Sequence, residues 1–234
     1  MTMIISAHLG DCILIAADKR AMTCDLETGT LQISHDDEAK IKLWCRGAIA
    51  GTGVSELIDN ISQYFINISE EESQVKQMDA IYEQIEKIIM EGIPKKYILN
   101  NVIVLSIFNG IETLLFTIPL KPFFQVIEKK DVEIIQPYMN EIKAWEVDVC
   151  CYNIPPDMSF LQEFQRNLNP MSYFKTHQEF LNYYIHDLKK IFATHASFDT
   201  SITTSFDLYI QSVETGSGIA LHIENKVMPM PNWL

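Results

Sequence analysis

The spacing of apolar residues changes along the chain, and each change marks an expected element. Met3 to Ser6 is apolar and β-branched, and Gly10-Asp11 marks a turn. Cys12 to Ala17 is an unbroken apolar run, the pattern of a strand covered on both faces, and it stops abruptly at Asp18-Lys19-Arg20. A hairpin is expected around Glu27-Thr28-Gly29, followed by strands over Ala39–Trp44 and Gly47–Ala50. Gly51-Thr52-Gly53 then breaks the β pattern. Val54, Leu57, Ile58, Ile61, Tyr64 and Phe65 recur at helical spacing. A second helix is predicted over Gln74–Met90 and ended by Gly92 and Pro94.

Strands over Asn101–Phe108 and Thr113–Ile118 flank Asn109-Gly110, a strong short hairpin signal. Short strands are expected at Phe123–Val126 and Val147–Tyr152, and a short helix over Met158–Asn167. Gln178–Thr194 carries a helical stripe of Phe180, Leu181, Tyr184, Leu188 and Phe192. Ser205–Ser212 and Gly218–Ile223 close the chain as strands joined by a turn at Glu214–Ser217. No repeat or linker divides this order. Two helical segments between hairpin-rich β segments predict one α+β domain over residues 1–234, with packed sheets inside and helices outside.

Composition narrows the function classes. Eighteen basic against 31 acidic residues leave a formal charge of −13, which argues against nucleic acid and anionic membrane surfaces as partners. No basic leader with an apolar run is expected at the start, and no apolar stretch reaches the roughly 20 residues of a bilayer span. The five cysteines contain no Cys-x-x-Cys pair, so free thiols in a reducing cytosol are expected rather than zinc or disulfides. The six histidines lack paired-ligand spacing, and neither a phosphate loop nor a Gly-x-Ser-x-Gly elbow is present. No metal or organic cofactor is implied. The apolar, proline-rich tail Met228–Leu234 reads either as a packing arm against a neighbouring subunit or as a frayed terminus.

The chemistry gathers near the start. Met1 precedes a small residue, and its removal exposes Thr2. A terminal threonine carries its own base, because its α-amino group titrates near pH ~8 beside its hydroxyl. Thr2-Met-Ile-Ile-Ser6, Ala16-Ala17-Asp18-Lys19-Arg20, Lys40-Ile41 and Ala50-Gly51-Thr52-Gly53, in that order, resemble the opening of a proteasome β-type subunit. The spacing from Thr2 to Asp18 matches that family. The gap from Asp18 to Lys40 is several residues longer, which a longer hairpin over residues 24–37 absorbs.

The resemblance implies a four-layer αββα sandwich of the N-terminal-nucleophile hydrolase type. It assigns Thr2 as nucleophile, Lys40 as the neighbouring cation, Asp18 as its partner and the Gly51 N–H as oxyanion donor. Lys42, two positions along, stays open as the alternative lysine. From the residues alone, Asp18 also reads as a solvated strand end, and Gly51 and Gly53 as a plain strand-to-helix turn. In the second half, Asp199 falls on the family's Asp. Ile202 stands where the family has Ser, so either Ser201 substitutes or the contact is absent, and the Gly-Gly pair that follows is missing. That departure is closer to the divergent bacterial proteasome-related branch, the ancestral β-subunit-like proteins.

By the same resemblance, Met22, Ile49 and Gly53 line the first specificity pocket and imply an apolar preference. The implied function is a cytoplasmic threonine endopeptidase acting on peptides or unfolded protein inside a homo-oligomeric ring or spiral. An ATPase partner is not readable from the sequence. Two other readings stay open: a non-catalytic structural subunit, and an amidase of small substrates.

Overall fold

The computed structural model describes residues 2–25, 28–67, 77–128 and 137–225. The chain opens with β1 (Ile4–His8), β2 (Cys12–Asp18), β3 (Ala21–Cys24), β4 (Leu31–His35), β5 (Lys42–Trp44) and β6 (Gly47–Gly51). Helices α1 (Ser55–Asn67) and α2 (Gln77–Met90) follow, then β7 (Val102–Phe108) and β8 (Thr113–Pro119). Next come α3 (Lys121–Glu128), β9 (Asn140–Glu141) and β10 (Val147–Cys150). The chain closes with α4 (Ser159–Arg166), α5 (His177–Phe198), β11 (Phe206–Ser212) and β12 (Gly218–Ile223).

Among the described residues, the strands form two five-stranded antiparallel sheets and a separate β3–β4 hairpin. The first sheet runs β10-β1-β2-β11-β12 and the second β5-β6-β7-β8-β9. Side-chain alternation divides β1 and β2 between two cores. Met3, Ile5, Ala7, Leu14 and Ala16 face Phe180, Tyr184, Leu188 and Phe192 of α5. Their neighbours Ile4, Ile13, Ile15 and Ala17 face the second sheet's Ala48, Ala50, Val104 and Leu115. On the far side, Ile49, Ile103, Leu105 and Ile118 pack on Leu57, Ile61, Phe65, Ile81 and Ile85 of α1 and α2. Three cores between four layers make the fold an αββα sandwich. The unbroken apolar run in β2 is explained: both of its faces are interior, and all seven residues are buried.

Several elements end where local chemistry ends them. Asn109 Oδ1 accepts from the N–H groups of Ile111 and Glu112 at 2.8 and 2.9 Å, and Gly110 takes φ 94°, closing the β7–β8 hairpin. The Thr176 hydroxyl accepts from the Glu179 N–H at 3.1 Å and caps α5.

The expected strand at Phe123–Val126 is a correction: it lies in α3. Pro122 sits in the helix's first turn, where a missing N–H costs nothing, and Phe123 and Phe124 are both buried against the α1–α2 core. A short apolar run reads the same for a strand and for a buried helix. The strand expected from Ala39 begins only at Lys42. Residues 74–76 of the expected second helix, Glu27 of the hairpin and the tail Met228–Leu234 lie outside the described residues.

Candidate active site

Antiparallel pairing brings the distant motifs to one edge. In the first sheet, Ile4 pairs with Ala17 on one side and Cys150 on the other, and Asp18 pairs with Phe206. The start of β1, the ends of β2 and β10 and the start of β11 therefore share one end of the sheet. Thr2 lies there, buried, where a large groove and a small cavity meet.

Asp18 is fully buried. Its Oδ1 accepts from the Met3 N–H at 2.8 Å and from Lys40 Nζ at 2.9 Å, and its Oδ2 accepts from the Arg20 N–H at 2.9 Å. Three donors to one interior carboxylate exclude the solvated strand end. They also couple the start of β1, next to Thr2, to the lysine. Lys40 is 8% exposed, and burial pushes its ammonium below the ordinary value despite the opposing pull of Asp18. Lys42, the alternative, points its charge elsewhere: Nζ is 3.1 Å from Asp59 and 3.7 Å from Glu38.

Gly51 ends β6. Thr52 donates to the Val102 carbonyl at 2.9 Å, and the Ala48 N–H donates to Ser106 Oγ at 2.8 Å, so alternate residues of β6 turn their N–H groups toward β7. Gly51 falls between them and turns its N–H the other way. Gly51 and Lys40 line the same small cavity as Thr2. A Cβ at Gly51 would come within 2.4 Å of Ile58 Cδ1, so any larger residue there forces the Ile58 side chain of α1 to shift.

Asp199 and Ser201 stand together just before β11. Asp199 Oδ1 accepts from the Ser201 hydroxyl at 2.6 Å and from its N–H at 2.8 Å. Asp199 Oδ2 accepts from Asn153 Nδ2 at 2.8 Å, and the Asn153 carbonyl accepts from His195 Nε2 at 2.9 Å. Burial raises the Asp199 carboxyl, but the bonds from Ser201 and Asn153 outweigh it and hold the group below the usual carboxylate range. Among the described residues, the hydrogen bonds of this cluster do not run to Thr2 or Asp18. Two bonds between side chain and backbone tie its neighbours to the same edge instead: Lys19 N–H to Thr203 Oγ1 at 3.0 Å, and Arg20 Nη1 to the Thr200 carbonyl at 2.5 Å. Asn153 and His195 escaped the sequence reading, since neither lies in a spaced motif. Ile202 is buried in the helix-side core.

No protein-family model and no curated protein matches the sequence. Solved structures do. A (Gly-1) mutant of Anbu from Hyphomicrobium sp. strain MC1 superposes with a TM-score of 0.59 at 12% identity, over 95% of this chain and 87% of that one. Anbu, the ancestral beta-subunit, from Yersinia bercovieri gives 0.59 at 11% identity, over 96% and 88%. Anbu of Pseudomonas aeruginosa, solved as a helical assembly, gives 0.58 at 10% identity, over 94% and 86%. The fold is shared with the Anbu proteins.

Within this Anbu-type frame the groove at Thr2 has a volume of about 870 Å³ and runs between the β3–β4 hairpin, the start of β7 and the end of β10. Met22 and Gly53 line it. Ile49 does not: it faces the α1–α2 core, because β6 alternation turns it away from the sheet interface. Cys24, Cys150 and Cys151 border the groove as free thiols, and burial pushes the last two up, away from the reactive thiolate. Among the described residues, no cluster of three His, Cys, Asp or Glu side chains is arranged to hold a metal, and no helix is long and apolar enough to cross a membrane.

Proposed function

We propose that this chain is an N-terminal threonine hydrolase cutting peptides or unfolded protein, with Thr2 as nucleophile after removal of Met1. The observation that carries the reading is the buried Lys40 ammonium, 2.9 Å from Asp18, in a cavity shared with Thr2 and Gly51. In this reading the Thr2 hydroxyl attacks the scissile carbonyl and passes its proton to the Thr2 α-amine. The positive charge of Lys40 lowers the proton affinity of the hydroxyl. The Gly51 N–H receives the oxyanion, and the protonated α-amine then donates its proton to the leaving amine. Water, deprotonated by the same amine, releases the acyl group and regenerates Thr2. The Asp199–Ser201 pair supports the same edge of the sheet.

The reading extends to one domain, a cytoplasmic setting and a ring or spiral of identical copies, as the helical assembly of the Pseudomonas aeruginosa Anbu supports. A structural, non-catalytic subunit is the second reading. It is favoured by Ile202, which packs into the core where the resemblance expects a serine.

Intact mass before and after treatment with a peptide epoxyketone separates the two. Loss of Met1 and a covalent adduct, both in the wild type, with the adduct absent in Thr2→Ala and Lys40→Ala, is the expected result. Retained Met1 without an adduct sinks the hydrolase and leaves the structural subunit.

A further inference from the structure

Resting on the hydrolase reading, we infer that Lys42 restricts the enzyme to cleavage after small side chains. Two cavities meet at Thr2. The long groove holds neither Lys40 nor Gly51, whereas the small cavity is lined by Thr2, Lys40 and Gly51 together. An extended peptide therefore follows the groove, and the residue whose carbonyl reaches Thr2 and Gly51 turns its side chain into the small cavity.

That cavity measures about 60 Å³, against about 870 Å³ for the groove. It has room for only a few water molecules. Its walls are partly apolar, with Met22 from the hairpin and Ile58 from α1. Lys42 also lines it, with its ammonium drawn between Asp59 of α1 at 3.1 Å and Glu38 at 3.7 Å. Both carboxylates border the same cavity. A methyl or hydroxymethyl group fits without disturbing this arrangement. A leucine or phenylalanine side chain has to displace Lys42 and strip water from three charged groups, which no apolar contact replaces. The apolar walls are thus present, but the ion pair limits their use.

The test uses full-length protein and peptide epoxyketones that differ only in the residue next to the warhead: Ala, Leu or Phe. Labelling rates are read by intact mass. The Ala probe is expected to label at least tenfold faster than the Leu and Phe probes. Lys42→Ala is expected to raise the Leu-to-Ala rate ratio at least tenfold, and Lys42→Arg to leave it near the wild-type value. The ratio is unaffected by a general loss of active protein, so partial misfolding of a variant does not mimic the result. Equal labelling by Leu and Ala probes in the wild type, or an unchanged ratio in Lys42→Ala, overturns the role of Lys42 and leaves the hydrolase intact. Labelling by no probe overturns the hydrolase, and this inference with it.

Discussion

Asp18→Asn keeps the shape of a buried side chain and removes its charge. The carboxylate accepts three hydrogen bonds, two from backbone N–H groups and one from Lys40. An amide has one carbonyl oxygen, so one of its two ends must present N–H to a donor. The larger effect is on Lys40, which is 8% exposed and loses the carboxylate 2.9 Å from its ammonium. Breaking a buried pair from one side costs about 3–5 kcal/mol. For a chain of this size that corresponds to a fall in Tm of about 6–20 °C, at roughly 2–4 °C per kcal/mol. Lys40 is already held below its ordinary value of 10.5 by burial, and losing Asp18 lowers it further. Because the unfolded chain then binds the extra proton, stability of the variant rises as pH climbs from the folded value toward 10.5. Lys40→Met in the same background removes the buried cation, and the double variant is expected to recover most of the loss. Urea midpoints for the four proteins at one protein concentration close the cycle. A single-variant cost below about 1 kcal/mol, the range of an exposed pair, together with simple additivity, refutes the buried-pair argument.

Gly51→Ala drives a Cβ to 2.4 Å from Ile58 Cδ1 and is expected to cost about 1–3 kcal/mol in overpacking. Ile58→Val deletes that Cδ1 atom, so thermal melting of the double variant is expected to show partial recovery. Asn153→Leu removes one donor from Asp199, and a bond to a charged group is worth about 1.5–3 kcal/mol at pH 7. Asp199 sits below its ordinary 3.8, so its contribution is present above that value and fades as pH falls through the folded value. Acid unfolding followed by circular dichroism is therefore expected to show wild type and Asn153→Leu converging at low pH; a gap that stays constant refutes the role of the bond.

Periodicity along the chain determined most elements of this protein. The apolar run of β2, the Asn-Gly hairpin between β7 and β8 and the stripe of α5 all lie where local pattern puts them, because those signals arise within a few residues. The order of elements and the motif around Thr2 and Asp18 pointed to a layered α+β sandwich, and the structure has that architecture. What local pattern did not decide depends on partners far along the chain. Phe123 and Phe124 belong to a helix because α1 and α2 cover them. The resemblance points to Lys40 but leaves Lys42, two positions along, open as the alternative. Only the tertiary structure gives one to Asp18 and leaves the other to Asp59. Ile49 turns from the groove because register sets its face. Asn153 reaches Asp199 across 46 residues of sequence, a bond that exists only once β10 and β11 flank the β1–β2 pair. Side-chain type and spacing encode elements, whereas which charge is buried against which is settled when the two sheets close on each other and exclude water.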